Sequence, residues 1–149
     1  MKLFLDIDGV MVHANPHKQV EMEDDGFYKF NHTAVDVLNS VDHTSIEVIL
    51  STSHRFRFNI KQWKLIFHKR GINFNKISIL KQDINHQNSR RFEIEKWITD
   101  HNIDSHDIVI IDDDKSLNGL PENLKKRLIL TNPYTGLTDS KELKRILAE

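Results

Sequence analysis

Five short runs of apolar, largely β-branched residues recur along the chain: residues 3–7 (LFLDI), 47–51 (EVILS), 76–80 (KISIL), 108–112 (IVIID) and 127–131 (RLILT). They are continuous rather than alternating, the pattern of strands covered on both faces and hence of a parallel sheet. The intervening segments switch to helical spacing. Residues 31–43 carry Val35, Leu38 and Val41 in steps of three, and residues 59–70 carry Ile60, Trp63, Ile66 and Phe67 with lysines on the other side. A third helix is predicted over 89–102, with Ile94, Trp97 and Ile98 as its apolar stripe and Ser89 or Asn88 as N-cap. The last begins near TDSKEL, where Asp139 and Glu142 have capping-box spacing. Strand and helix thus alternate throughout, which predicts an α/β fold: a doubly wound, Rossmann-like parallel sheet of about five strands with right-handed crossovers. In such sheets ligands bind outside the carboxyl ends of the strands. Residues 12–30 fit the alternation least and are expected to form an irregular flap or hairpin after the first strand.

The 149 residues suffice for one domain with a substantial core, so 1–149 is read as a single domain and any active site must be built within it. No apolar run approaches the ~20 residues of a membrane helix. The start of the chain lacks the apolar segment and cleavage site of a signal peptide, so a cytoplasmic location is expected. The absence of cysteine excludes a disulfide framework, a thiolate zinc site and a cysteine nucleophile. A formal charge of −1 argues against a strongly basic nucleic-acid binder. The distribution of charge says more. Between Glu47 and Asp83 there is no acid, whereas Arg55, Arg57, Lys61, Lys64, Lys69, Arg70, Lys76 and Lys81 fall there; acids gather in 21–25 and 112–114. One positive and one negative face are expected.

The polar residues that end the predicted strands would converge on one edge of the sheet. Asp6 and Asp8 end the first, Ser51 and Thr52 the second, and Asp112, Asp113 and Asp114 the fourth. Each piece alone has an ordinary reading: a D-x-D is common by chance, and Asp runs or Ser-Thr pairs after strands serve as turns and caps. Their joint occurrence in this order is harder to explain so. In a strict strand Asp6 and Asp8 would point to one face, and Gly9 would let the chain turn away closely beneath a ligand. Carboxylates gathered at one edge repel each other unless a cation lies among them, and an oxygen-only set suits Mg²⁺. His13 and His17 have helical i, i+4 spacing, but Pro16 lies between them, which argues against a zinc pair.

The stretches LFLDIDGV, VILSTS and IVIIDDD resemble, in order, three of the four motifs of the haloacid dehalogenase (HAD) superfamily of phosphohydrolases. RRFEIEKWI and LILTNPYTGLT are similar to the small HAD domains of Swiss Army Knife RNA repair proteins, and the resemblance covers essentially the whole chain. It implies a HAD-type core with a minimal cap, in which 12–30 is the flap or cap, and a Mg²⁺-dependent phosphomonoester hydrolase working through an aspartyl-phosphate. On this resemblance Asp6 attacks phosphorus and Asp8 acts as acid and then base. Ser51 bonds the transferring phosphoryl group, with Thr52 as second candidate. Asp112 and Asp113 hold Mg²⁺ together with Asp6 and the backbone carbonyl of Asp8. The third motif needs a basic residue. Arg90 is chosen because it lies four before Ile94 and seven before Trp97, at the top of the sheet-facing stripe; Arg91 is second, Lys96 and Lys81 outsiders.

Only short insertions are available for a cap, so an open site is expected, one that admits a phosphorylated nucleic-acid end or a phosphoprotein. The segment SHRFRFNIKQWK combines Arg55, Arg57, Lys61 and Lys64 with Phe56, Phe58 and Trp63. Basic side chains could track a phosphate backbone while aromatics stack on bases. Equally, Phe58, Trp63 and Phe67 could be core residues of an amphipathic helix with the lysines as its solvated face. Gly9, Thr52, Arg55 and Arg91 are the candidate substrate-binding residues, and His54 is expected near the substrate. RNA or DNA ends are the leading substrate. The alternatives are a small-molecule phosphatase acting on nucleotides or sugar phosphates, and a non-catalytic HAD-fold binding or regulatory module, against which the intact carboxylate set counts.

Overall fold

The computed structural model describes residues 1–82 and 89–149; Asn88, the alternative cap, lies outside them. Five parallel strands, β1 (Lys2–Leu5), β2 (Glu47–Leu50), β3 (Lys76–Ile79), β4 (Ile108–Asp112) and β5 (Leu128–Leu130), form one sheet in the order β3-β2-β1-β4-β5. The chain winds outward from β1 to β3, returns to β4 beside β1, and winds outward again to β5. The strand order therefore reverses between β1 and β4, the place where a doubly wound sheet opens a crevice.

Both faces of the sheet are covered, which is why its strands read as unbroken apolar runs. Register places Leu3 between Val48 and Val109, and Phe4 between Ile49 and Ile110. Leu3, Leu5, Val48, Leu50, Val109 and Ile111 pack with α1 (His32–Asn39), α2 (Ile60–Lys69) and α5 (Ser140–Ala148). Phe4, Ile49, Ile108 and Ile110 pack on the opposite side with α3 (Arg90–Asp100), α4 (Glu122–Lys125) and the 3₁₀ turn Lys115–Gly119.

The helix ends follow local chemistry. Asn59 and Gln62 form a reciprocal capping box on α2, and Ser89 caps α3. The box expected on α5 is half made: Asp139 accepts from the Lys141 amide, but Glu142 turns to Arg145 instead of reaching back. The first helix stops at Asn39 rather than near His43, where the Ser40 amide and hydroxyl both turn back on the Val37 carbonyl.

Of the flap or hairpin expected over residues 12–30, the structure shows a short hairpin at 21–29, anchored to the core. Met22 and Tyr28 form an antiparallel bridge, while Val12, Phe27 and Phe30 are buried. Phe27 meets Trp63, Phe58 and Phe30 edge to face, with centroids 5.2, 5.8 and 6.3 Å away. Arg70 binds Asp25 through two nitrogens, at 2.6 and 2.9 Å, and donates to the Tyr28 carbonyl at 2.6 Å; Lys69 pairs with Asp24. These pairs correct the expectation of separate charged faces, because Asp24 and Asp25 fold onto the basic end of α2. Arg57, Lys61 and Lys64 stay exposed.

The choice between stacking aromatics and core aromatics is settled residue by residue. Trp63 and Phe67 are fully buried and Phe58 half-buried, whereas Phe56 is exposed. Trp63 also donates its indole N–H to the Arg55 carbonyl at 3.1 Å. Trp63→Ala is expected to lower stability by about 3–5 kcal/mol in urea unfolding, since it leaves a cavity where hairpin and helix meet.

Candidate active site

The backbone ladder continues one residue past the strands and thereby aims the polar residues. The Asp6 amide donates to the Ile111 carbonyl at 3.1 Å, the Ser51 amide to Leu5 at 3.1 Å, and the Thr131 amide to Asp112 at 2.9 Å. Asp6, Asp112 and Asp113 come together at the β1–β4 crevice, each offering an oxygen within 4.8 Å of the others. Asp6 and Asp112 are buried. Arg90, on the first turn of α3, bonds Asp112 at 2.7 Å and lies 3.4 Å from Asp6. A cleft of about 260 Å³ opens beside it, lined by Ser53, Arg55, Phe56, Gln82, Glu93 and Asp114. A hollow of about 350 Å³ on α2, lined by Phe58 and Leu65, lies away from these carboxylates and gathers fewer polar groups.

Burial is the main electrostatic force in the cluster. It pushes Asp6 up to about 6, with Arg90 pulling the other way, and Asp112 up to about 7, with the Asp6 charge adding to the rise. Burial and Asp112 likewise raise Asp113, while a hydrogen bond from Asp6 restrains it. Burial works against the charge of Arg90, yet Asp112 and Asp6 outweigh it and hold the guanidinium more firmly protonated than usual. One arginine among three crowded carboxylates leaves negative charge uncompensated. A hard divalent cation with oxygen ligands fits that donor set.

The two acids of the D-x-D part company. Asp8 is half-buried, and its Oδ2 lies 2.7 Å from His54 Nε2 rather than in the cluster; β1 ends at Leu5, so the strict strand that would aim both acids alike does not extend to Asp8. Gly9 has φ +79°, and a β-carbon there would fall inside the Asp113 carboxylate. A residue without a side chain there makes room for Asp113. Thr131 accounts for the other side of that turn by donating its hydroxyl to the Gly9 carbonyl at 2.7 Å. Sequence reading missed Thr131, although its place at the end of the fifth run was a signal.

Other candidates are redirected. The Ser51 hydroxyl is buried with no hydrogen-bond partner among the described residues. Thr52 is buried and spends its hydroxyl accepting from the His54 amide at 3.2 Å, as cap of the 3₁₀ turn Ser53–Phe56. Arg55 is a buried brace that also lines the cleft beside Arg90. It donates to the carbonyls of Leu80, Ser51 and Thr52 at 2.7, 3.3 and 3.0 Å and pairs with buried Glu93 at 2.9 Å. Arg91 turns away to the Gly119 carbonyl at 3.1 Å, because the next residue on a helix faces about 100° around the axis. Lys96 pairs with Asp100, and Lys81 is exposed. His13 and His17 bond locally around Asn15, and no metal-ligand group includes them among the described residues.

A family model described as the HAD domain in Swiss Army Knife RNA repair proteins matches residues 2–141. The chain belongs to this family. Among solved structures, the HAD domain of effector protein Lem4 from Legionella pneumophila is similar in fold, at 15% identity and a TM-score of 0.54, over 99% of this chain and 93% of that one. No curated protein matches. The HAD membership accounts for the order of the strand-end motifs and points to phosphatase-type chemistry. No helix among the described residues is long and apolar enough to cross a membrane.

Two outcomes follow. Because Asp6 and Asp112 bind protons more tightly folded than unfolded, their contribution favours the fold at low pH and is lost as pH rises from about 4 through about 7. Thermal melts without metal should show that loss, and Mg²⁺ should raise Tm more at pH 8 than at pH 5. Arg55→Ala, which takes the guanidinium away from buried Glu93 and from three backbone carbonyls, should lower stability by about 3–5 kcal/mol in urea unfolding.

Proposed function

We propose that this HAD domain is a Mg²⁺-dependent phosphomonoester hydrolase that forms an aspartyl-phosphate on Asp6 and acts on phosphorylated RNA or DNA ends. One observation carries the reading: the acids of a single D-x-D occupy opposite settings, Asp6 buried against Arg90 and Asp8 held outside the cluster by His54. A nucleophile and a proton carrier need that separation. Asp6, Asp112, Asp113 and the Asp8 carbonyl are the groups that would hold Mg²⁺, which when bound supplies positive charge for the phosphoryl oxygens.

In the first half, an Asp6 oxygen attacks phosphorus in line as the ester bond breaks, and the leaving oxygen takes a proton from Asp8. In the second, Asp8 takes a proton from water, whose oxygen attacks phosphorus and frees Asp6 and inorganic phosphate. Arg90 holds the Asp6 carboxylate in place and offsets charge in the transition state. The Ser51 hydroxyl is a donor for a phosphoryl oxygen; leaving a buried hydroxyl unpaired otherwise costs about 1–3 kcal/mol.

The nucleic-acid assignment is supported by the description of the family as RNA repair proteins and by what borders the cleft. Phe56, which lines the cleft, is 57% exposed, and Arg57, Lys61 and Lys64, which follow it closely in the chain, are exposed as well. Such groups suit stacking and backbone contact. Phosphate release with Mg²⁺ should be measured on p-nitrophenyl phosphate, mononucleotides and oligonucleotides phosphorylated at the 3′ or 5′ end. Release that falls to background with EDTA or Asp6→Asn, with kcat/KM highest on oligonucleotides, is the expected result. Release that survives Asp6→Asn removes the covalent mechanism, and equal or better turnover of mononucleotides removes the nucleic-acid assignment alone.

A further inference from the structure

We infer that His54 is a positioning residue for Asp8: its Nε2–H fixes Oδ2 of that carboxylate, so that Oδ1 is the atom that carries the proton in both halves of the reaction. The inference rests on the phosphatase reading and adds a residue to it.

His54 leaves the second strand three residues beyond Ser51, in the 3₁₀ turn capped by Thr52, and its Nε2 lies 2.7 Å from Asp8 Oδ2. Its other ring nitrogen faces Arg57, whose Nη1 is 3.5 Å from Nδ1. An arginine N–H only donates, so Nδ1 is the acceptor and the imidazole proton resides on Nε2, facing Asp8. The ring plane is held as well. Phe27 and Tyr28 from the hairpin meet it edge to face, with centroids 5.5 and 5.3 Å away and interplanar angles of 80° and 85°. Asp8 is thus oriented by a histidine that is itself oriented from three sides.

This arrangement matches a demand of the chemistry that Asp8 alone does not meet. A side chain that gives a proton to the leaving oxygen and then takes one from water must keep one rotamer while its charge changes. The Nε2–H donor can bond either the carbonyl oxygen of the acid or an oxygen of the carboxylate, and the bond strengthens as negative charge appears on Asp8. It therefore favours the step in which the Oδ1–H bond breaks and the proton passes to the leaving oxygen. The anchored hairpin gains a role in turn, because Phe27 and Tyr28 transmit its position to the proton carrier without touching substrate.

The test uses the full chain with Mg²⁺ and compares an alkyl phosphate (glycerol 2-phosphate), whose leaving oxygen needs a proton, with p-nitrophenyl phosphate, whose leaving group does not. His54→Phe keeps the aromatic packing and removes the donor, while His54→Gln keeps a donor at similar reach. The rate of the p-nitrophenolate burst reports the first half alone. With His54→Phe, kcat on the alkyl ester should fall at least about tenfold more than the burst rate, a fraction of the 10²–10⁴ typical of general acid catalysis. His54→Gln should recover most of the difference, and His54→Phe should add little to Asp8→Asn. Equal losses on both substrates, or no loss on the alkyl ester, would overturn the positioning role. Wild-type protein that releases no phosphate from these esters or from phosphorylated oligonucleotides would overturn the phosphatase reading itself.

Discussion

Buried negative charge at the carboxyl edge of the sheet is the constraint around which this domain is organised. Asp6 and Asp112 are held out of water at the ends of adjacent strands, with Asp113 beside them, and isolated carboxylates in such a place are costly. Arg90 offsets part of that cost from α3, at 2.7 Å from Asp112 and 3.4 Å from Asp6. Its place on α3 follows from the apolar stripe of that helix: Ile94 and Ile98 seat the helix on Phe4 and Ile110, which leaves the first turn over the strand ends. The unspent charge is the physical basis for expecting a divalent cation.

The surroundings hold this cluster rigidly through backbone contacts. The parallel ladder runs one residue beyond the strands, so Asp6, Ser51 and Thr131 are aimed by main-chain bonds before any side chain acts. Gly9 turns with positive φ and leaves the Asp113 carboxylate the space a side chain would fill, and the Thr131 hydroxyl fastens its carbonyl. Arg55 ties the ends of β2 and β3 together through three carbonyls and reaches Glu93 on α3. Its guanidinium is engaged by the scaffold, whereas Arg57, Lys61 and Lys64 are exposed.

The hairpin at residues 21–29 is small for a lid and is tied down by Phe27 and by Arg70, which leaves the strand-end cleft open to solvent along Phe56. An open edge favours a substrate whose bulk stays outside the protein. The hairpin reaches the chemistry indirectly, through the rings that bracket His54.

What the sequence by itself determined is what local pattern can encode. Unbroken apolar runs alternating with helical stripes specified a parallel sheet covered on both faces, and the acids that end the first and fourth runs marked the crevice. The four- and seven-residue offsets from Arg90 to Ile94 and Trp97 were enough to choose it over Arg91, since helical geometry is local. Partners distant in the chain were decided only by tertiary structure. Arg55 meets Glu93 38 residues away, Asp8 meets His54 46 residues away, and Thr131 meets Gly9 122 residues away. No periodicity records which buried polar atom will need which donor. The sequence thus placed a basic residue beside a motif without showing the three carbonyls and the carboxylate that engage it, and it placed two acids two positions apart without showing that one joins the cluster and the other meets a histidine.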